Sequence, residues 1–450
     1  MDNGLGVIAL LGVGSTYFTR GILESLVRVG GAWDVRLGDI DPHALDVAER
    51  LCRRLAEAHG APISVRASTD RREVLAGCGA VVSTIGVGGR PAWIRDVIDA
   101  RRFDINQTTG DTFGYGGVSR ALRMVPAMIG VARDMERLCP DALLVNFSNP
   151  MSVICRAITK ATRVRTVGLC TGVKWFHRAL ADALGLPPRE VWYEAAGVNH
   201  FTFITALTHR GEDLWPRVRA LKDDALPGGP YTRELFRAFG AYPCVGDGHI
   251  TEFVPGWAGT GCYYGKTLGV DACHDFERYA ATYDEVQTRM EDEAYGRAPI
   301  ATADLHADAK QFSDEHFFAE LMLALRGDRE LLCTINLPNR GQVANLPAGA
   351  ILESTALVNG AGFKPFALGD LPAGIAAIMG RVIAAQDLCA DAALAGDRRL
   401  AVQALIADLT ARTQGDAEAM LDQMVSTHRA HLPESLAAGG HGPRALAAAG

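Results

Sequence analysis

Along the first two hundred positions, apolar residues come in short runs that end in glycine. LGVIALLGVG (5–14) leads into STYFTRGILESLVRVGG, where Phe18, Ile22, Leu23, Leu26 and Val27 recur at helical spacing. VRLGDIDPHALDVAERLCRRLAEAH then predicts a second strand, a turn and a second helix. The pattern returns in GAVVSTIGVGG (79–89), DALLVNFSNP (141–150) and RTVGLCTG (165–172). Between them, QTTGDTFGYGGVSRALRMVPAMIGVARDMERL (107–138) reads as a polar, glycine-rich loop feeding a long helix. Strands alternating with helices predict an α/β fold built on a parallel sheet.

The second half changes character. Helical stretches such as FSDEHFFAELMLALRGD mix with strands and turns such as ELLCTINLPNRGQVANLPAGAILES, the balance of an α+β unit. PAGIAAIMGRVIAAQDLCADAALAGDRRLAVQALIADLTA is Ala-rich and helical, and is expected to pack back on the core. The organisation expected is a dinucleotide-binding Rossmann domain over 1–200, an α+β substrate domain over 201–432, and a frayed tail over 433–450 that lacks periodicity.

The glycines give the first half its chemistry. Gly12 and Gly14 follow a strand and open a helix, and Asp39 ends the next strand. Such a turn lets the backbone approach a pyrophosphate at the helix N-terminus, where unpaired N–H groups favour an anion. The acidic residue accepts hydrogen bonds from ribose hydroxyls, and with no arginine just after it favours NAD over NADP. Tyr17 stands where a third glycine is usual, and the structural alternative is a glycine turn that merely connects strand to helix. Ligands of doubly wound sheets gather at the carboxyl ends of the strands, so Gly12, Gly86, Asn149 and Cys170 are expected on one rim.

Composition narrows the partners. The 450 residues are 48% hydrophobic and 22% charged, which is ordinary globular chemistry. The net charge of −7, without clustered basic residues, points away from nucleic acid and anionic membranes. The apolar start lacks a basic leader and reads as a buried strand rather than a signal peptide. No apolar run reaches the ~18 residues that span a bilayer. Ten scattered cysteines with no CxxC pair read as reduced thiols of a cytoplasmic protein.

Cys170 and His200 raise the sharpest question, since each sits in a turn-like setting. They are either two unrelated buried residues or two ligands that meet around a metal. A thiolate and a neutral imidazole leave coordination positions open, as a catalytic site needs, and suit zinc as well as manganese. Asp111, Arg120 and Arg123 are candidate ligands from the glycine-rich loop and its helix, the arginines having a surface role as their alternative.

Several stretches together resemble the NAD- and metal-dependent glycosidases of glycoside hydrolase family 4, which look like lactate and malate dehydrogenases with an added catalytic domain. They are GVGSTYFT, GDIDPHAL, STIGVGG, QTTGDTFGYGGVSRALR, NFSNPMSVI, GLCTGV, GVNHF and NLPNRGQVANLP (336–347), in order and over nearly the whole chain. The resemblance implies that Cys170 and His200 ligate a divalent metal, usually Mn²⁺. It implies that Asn149 contacts the sugar, that Asp111 lies near substrate and metal, and that Gly12, Gly14, Ser15 and Asp39 hold NAD, to which the position of Gly86, in the glycine loop that flanks a nicotinamide ribose in doubly wound folds, adds a further cofactor contact. The implied reaction is an exception to the two-carboxylate scheme. A hydride leaves C3 of the sugar for NAD, the metal assists deprotonation at C2, the C1 substituent is eliminated, water adds, and the hydride returns. The base is sought in GDGHITEF, with Asp247 slightly ahead of His249, and Glu252 orienting His249 or completing the metal shell.

Thr171 departs from the residue usual after the metal cysteine, and threonine cannot act as a general acid. The CTG form is nearest the Cys-His-Gly type associated with α-glucuronidases. An α-glucuronide is therefore expected, a non-phosphorylated α-hexoside stays open, and a phosphorylated sugar fits less well. Arg340 and Asn345 flank a turn and are candidate substrate contacts, with a structural turn as the alternative. The family also implies a homodimer or homotetramer. The rival readings are a 2-hydroxy-acid dehydrogenase on the same Rossmann half, and a catalytically retired NAD- or sugar-binding sensor.

Overall fold

The structure is a computed structural model that describes residues 4–15, 18–105, 107–254, 276–300 and 317–437, with short strands at 262–263 and 266–267. Six strands form the first half: β1 (Val7–Leu11), β2 (Trp33–Gly38), β3 (Ile63–Ser68), β4 (Ala80–Ser83), β5 (Leu143–Asn146) and β6 (Arg165–Gly168). They pair in parallel in the order β3-β2-β1-β4-β5-β6. This is the doubly wound dinucleotide-binding order, whose direction of winding reverses between β1 and β4.

Both faces of this sheet are covered, which is why its strands read as continuous apolar runs. On β1, Ile8 and Leu10 enter a core formed with helices Phe18–Val29, Pro42–His59 and Phe317–Arg326. Ala9 and Leu11 enter the opposite core, formed with helices Gly114–Leu138, Met151–Ala161, Ala373–Ala395 and Gln414–His428. β1 is thus the inner strand that the apolar start predicted.

The sheet does not stop at β6. β7 (Val191–Val198), β8 (Phe201–His209), β9 (Glu212–Asp213), β10 (Tyr242–Cys244), β13 (Leu331–Pro338), β14 (Ile351–Asn359) and β15 (Gly362–Pro365) extend it as antiparallel pairs. β11 (Cys262–Tyr263) and β12 (Lys266–Thr267) form a separate hairpin. β13 joins β6 antiparallel through Asn336 and Gly168, and the order runs on as β13-β14-β7-β8-β10.

The structure shows how the expected parts are joined. The boundary at residue 200 falls inside the two-residue turn between β7 and β8, and the sheet is continuous across it. The C-terminal helices pack on helices Gly114–Leu138 and Met151–Ala161, as the Ala-rich stretch was expected to pack back on the core, and helix Ala373–Ala395 also joins the core that holds Phe201 and Leu352. Residues Glu434–Ala437 form a short helix with Leu436 buried, and the expected tail beyond 437 lies outside the described residues. Helix Ala373–Ala395 is long and apolar enough by length and composition to cross a membrane, although Arg381, Asp387 and Asp391 interrupt its apolar run. Here it packs against two core helices. No disulfide joins cysteines among the described residues.

Candidate active site

The dinucleotide crevice is built first. Gly12 has φ of 88°, and a Cβ there would lie 2.7 Å from the Ile85 backbone nitrogen. Only glycine permits that approach of the β1 and β4 ends. The Gly14 N–H donates to Asp39 Oδ2 at 2.8 Å and the Asp41 N–H to Oδ1 at 3.0 Å. Asp39 is thereby fixed at the end of β2 beside the glycine turn, with the N-terminus of helix Phe18–Val29 following. Ser15 Oγ accepts from the Phe18 N–H at 3.2 Å, so it caps that helix. Gly86 lies across the crevice near Arg120, whose Nε donates to the Asn149 carbonyl at 3.0 Å.

The loop 107–113 carries the next group. Gln107 closes it, donating to the Phe113 carbonyl at 2.6 Å and accepting from the Gly116 N–H at 2.5 Å. A Cβ on Gly116 would lie 2.2 Å from the Gly110 carbonyl oxygen, so the loop and helix touch backbone to backbone. Glu252 Oε1 accepts from the N–H groups of Thr109 at 2.7 Å and Gly110 at 2.6 Å. Glu252 therefore pins the loop, which differs from both roles expected for it.

That loop aims Asp111 at two histidines. Ligand atoms of Asp111, His200 and His249 all lie within 4.8 Å of one another. The His200 and His249 rings are 3.9 Å apart by centroid, and His249 Nδ1 is 3.9 Å from Asp111 Oδ1. Asn149 Nδ2 donates to Asp111 Oδ2 at 2.8 Å, while its buried Oδ1 has no hydrogen-bond partner among the described residues. His200 sits in the β7–β8 turn with φ of 67°, an uncommon setting for a non-glycine residue.

A residue with no role assigned from sequence fixes the His200 tautomer. Thr112 Oγ1 donates to Asp111 Oδ1 at 2.6 Å and lies 2.8 Å from His200 Nδ1. A hydroxyl has one proton, and an ionised carboxylate only accepts. His200 therefore keeps its proton on Nδ1 and presents the lone pair of Nε2. Its signal in the sequence is only the hydroxyl next to Asp111 in GDT.

The electrostatics suit a cation. Burial, then the neighbouring His249, push the His200 imidazole down to about 3, against the opposing pull of Asp111. Burial opposes ionisation of Asp111, but His249, His200, Arg120 and the Thr112 hydroxyl hold its carboxyl down at about 2. A neutral imidazole and an ionised carboxylate are the ligand forms a divalent metal requires. The residues present thus fit a metal, and the glycine crevice fits a dinucleotide.

The other candidates lie outside this three-residue cluster. Asp247 begins a short helix, Asp247–Phe253, and turns to the N-terminus of helix Pro230–Phe239. It accepts from the Tyr231 N–H at 3.1 Å, the Thr232 N–H at 2.7 Å and the Thr232 hydroxyl at 2.6 Å. Asp247, expected slightly ahead of His249, is thus committed to a helix end, while His249 stands beside His200. Cys170 lies two residues past β6, partly buried against Met151, Cys155 and Ile351, and its sulfur is not one of the three clustered groups. Thr171 opens helix Gly172–Ala183 without a side-chain cap bond. Arg340 is exposed in the loop after β13, and Asn345 exchanges two hydrogen bonds with the Leu371 backbone as a structural clamp. Arg123 is no ligand: it is buried in a bidentate pair with Asp96.

Comparison with known proteins agrees with this architecture. An α-galacturonidase of Bacillus subtilis is 30% identical over 448 residues, covering 93% of this chain and 96% of its own. The crystal structure of a putative glucosidase, lplD, from Bacillus subtilis superposes with a TM-score of 0.79 at 27% identity, over 93% of this chain and 99% of that one. A 6-phospho-α-glucosidase from gut microorganisms, solved with NAD and Mn²⁺, shares the fold with a TM-score of 0.79 at 19% identity, over 95% and 99% of the two chains. The model of the family 4 glycosyl hydrolases matches residues 7–186, and that of their C-terminal domain matches residues 195–411. With both halves matched and the Rossmann crevice opening beside the Asp111–His200–His249 cluster, the chain belongs to the family 4 glycosyl hydrolases and is a glycosidase.

Proposed function

We propose that this glycosidase uses NAD and a divalent cation, Mn²⁺, to cleave an α-linked uronide. The observation that carries the reading is the triad of Asp111, His200 and His249 at the mouth of the dinucleotide crevice. NAD supplies a reversible hydride acceptor for C3 of the sugar, and the cation supplies Lewis-acid polarisation of the sugar oxygens.

The chain's own residues supply the rest. Gly12, Gly14, Ser15 and Gly86 line the dinucleotide crevice, and Asp39 receives the ribose hydroxyls. His200, through Nε2, and Asp111 would hold the cation, with Cys170 as the soft donor offered by the end of β6. Asn149 Oδ1 accepts a sugar hydroxyl, because its amide nitrogen is already committed to Asp111. His249 takes the C2 proton, and ionised Asp111 beside it stabilises the imidazolium that results. Asp247 has no part in this step, since three donors hold it at a helix end.

The uronide assignment is supported by the galacturonidase relative, and by Arg120, which brings a cation to the rim beside Asn149. Thr171 adds no charge of its own and serves as a hydrogen-bonding neighbour of the sugar. The reading carries a cytoplasmic homo-oligomer with it.

The test is a panel of nitrophenyl α-galacturonide, α-glucuronide, α-galactoside and α-glucoside assayed with NAD, Mn²⁺ and thiol. Nitrophenol release from a uronide, with no net NADH and with solvent deuterium entering C2, is the expected result. NADH formed in step with a hydroxy acid and no glycoside cleavage would establish the dehydrogenase instead. NAD binding without turnover of any glycoside would establish the sensor. Release from a neutral hexoside alone would move the substrate assignment and leave the chemistry intact.

A further inference from the structure

Behind the proposed metal ligands runs a row of paired residues across five strands. Gly168 pairs with Asn336, Asn336 with Glu353, Glu353 with Gly197, and Gly197 with Thr202. Cys170 stands two residues beyond one end of the row, and His200 two residues before the other. Glu353 is at its centre, fully buried, and no cation pairs with it among the described residues. Its Oε2 lies 2.7 Å from Thr202 Oγ1, and its Oε1 lies 3.5 Å from Asn336 Nδ2. Asn336 Nδ2 reaches on to the Gly168 carbonyl at 3.4 Å, and Thr202 Oγ1 to the Val198 carbonyl at 3.0 Å. Gly197 lets β7 and β8 approach closely at this row, since a Cβ there would lie 2.6 Å from Thr202 Cα.

The hydrogen count decides the form of this bridge. Thr202 has one hydroxyl proton, and both the Val198 carbonyl and Glu353 Oε2 stand within reach of it. A neutral Glu353 satisfies both, donating its own proton to Thr202 Oγ1 while Thr202 donates to Val198. Burial, which pushes this carboxyl up to about 7, is in accord. An uncharged acid in a place that an apolar side chain could fill costs stability, so its presence calls for a role.

We propose that Glu353 is a positioning residue: a buried neutral carboxyl that ties the end of β6, which carries Cys170, to the β7–β8 turn, which carries His200, and so sets the separation of the two ligands. This inference rests on the metal site put forward above. Residues behind a metal's ligands typically alter affinity by roughly 10–100-fold when removed.

The experiment measures Mn²⁺ binding by calorimetry, and the thiolate-to-metal charge-transfer band of the Co²⁺-loaded protein, in wild type and in Glu353→Ala, Glu353→Gln, Thr202→Val, Cys170→Ser and His200→Ala. Glu353→Ala and Thr202→Val are expected to weaken Mn²⁺ binding by roughly 10–100-fold and to diminish the cobalt band. Glu353→Gln should rescue both, because its amide donates to Thr202 and accepts from Asn336. Wild-type affinity and an intact band in folded Glu353→Ala would overturn the inference, as would a Glu353→Gln as weak as Glu353→Ala. If Glu353→Ala does not fold, wild-type behaviour of Thr202→Val overturns it equally. Mn²⁺ binding that ignores both Cys170→Ser and His200→Ala would instead remove the metal site itself, and the bridge with it.

Discussion

At the level of single residues, the site turns on which way three side chains point. The segment GDGHITEF holds Asp247, His249 and Glu252, all of them able to carry protons, and spacing alone ranks none of them. The backbone decides. Gly246 has φ of 77°, and the helix that follows sends Asp247 to the N-terminus of helix Pro230–Phe239 and His249 to His200. That helix begins at Gly229, which has no side chain to cap it, so a residue sixteen positions on from Tyr231 supplies the missing acceptor. Asp247→Ala is therefore expected to cost about 1–2 kcal/mol of stability, as loss of a cap does, with catalysis largely kept in the folded fraction. His249→Asn should do the reverse, lowering kcat by about 10²–10⁴-fold with an unchanged melting temperature. Thermal melts and initial rates on the pair separate the two roles. Thr112→Val tests the tautomer argument: without the hydroxyl, His200 is free to put its proton on Nε2, and Mn²⁺ binding measured by calorimetry should fall by roughly 10–100-fold. None of these orientations is written in the local sequence, because each depends on a partner brought from another element.

At the level of elements, the legible features were those with a period or a punctuation mark. The glycine-ended apolar runs became the parallel strands, and the face of Phe18, Ile22 and Leu26 became a helix packed on them. The continuation of the sheet was not legible, because β13 meets β6 through one paired position, Asn336 with Gly168, 168 residues apart. Arg123 was misread for a related reason. Helical spacing places it one turn from Arg120, yet it is 1% exposed and its forked guanidinium meets both oxygens of Asp96. His428 Nε2 is 2.9 Å from the same carboxyl, so Asp96 gathers helices Gly89–Ala100, Gly114–Leu138 and Gln414–His428 at one point. Breaking such a pair strands the remaining charge away from water. Asp96→Ala is expected to lose about 3–5 kcal/mol, whereas replacing both members by apolar residues of similar volume should lose much less. Urea denaturation of Asp96→Ala beside the Asp96→Leu/Arg123→Met double variant measures the difference.

For the whole molecule, the buried acids set how stability depends on pH. Burial is the leading cause that raises three of them: Glu252 to about 8, Glu353 to about 7 and Asp408 to about 7. In the unfolded chain the same groups ionise near their ordinary values of 4.5 for glutamate and 3.8 for aspartate. Between those values and the raised ones, the folded protein holds protons that the unfolded chain has released. Stability then falls as pH rises, by up to ~1.4 kcal/mol per pH unit for each group. Their contribution is complete below about pH 4 and is lost as the pH passes 7 to 8. Asp111 acts in the opposite sense, because its lowered pKa withdraws stability only as pH falls from about 3.8 to about 2. The two effects occupy separate windows, so the metal-free protein should weaken steadily from pH 5 to pH 8. Asp408 is the group to test, since it touches no proposed ligand: its Oδ1 accepts from the Thr410 N–H at 2.8 Å, behind the loop that carries Thr112 and Phe113. Asp408→Asn keeps an acceptor for that N–H and removes the charge. Urea midpoints at pH 5, 6.5 and 8 in EDTA should show the variant losing less stability across the range than wild type, with the two closest at pH 5. Equal slopes would mean that Asp408 ionises in the folded protein as easily as in the unfolded chain, and that the interior around the Asp111 loop admits water.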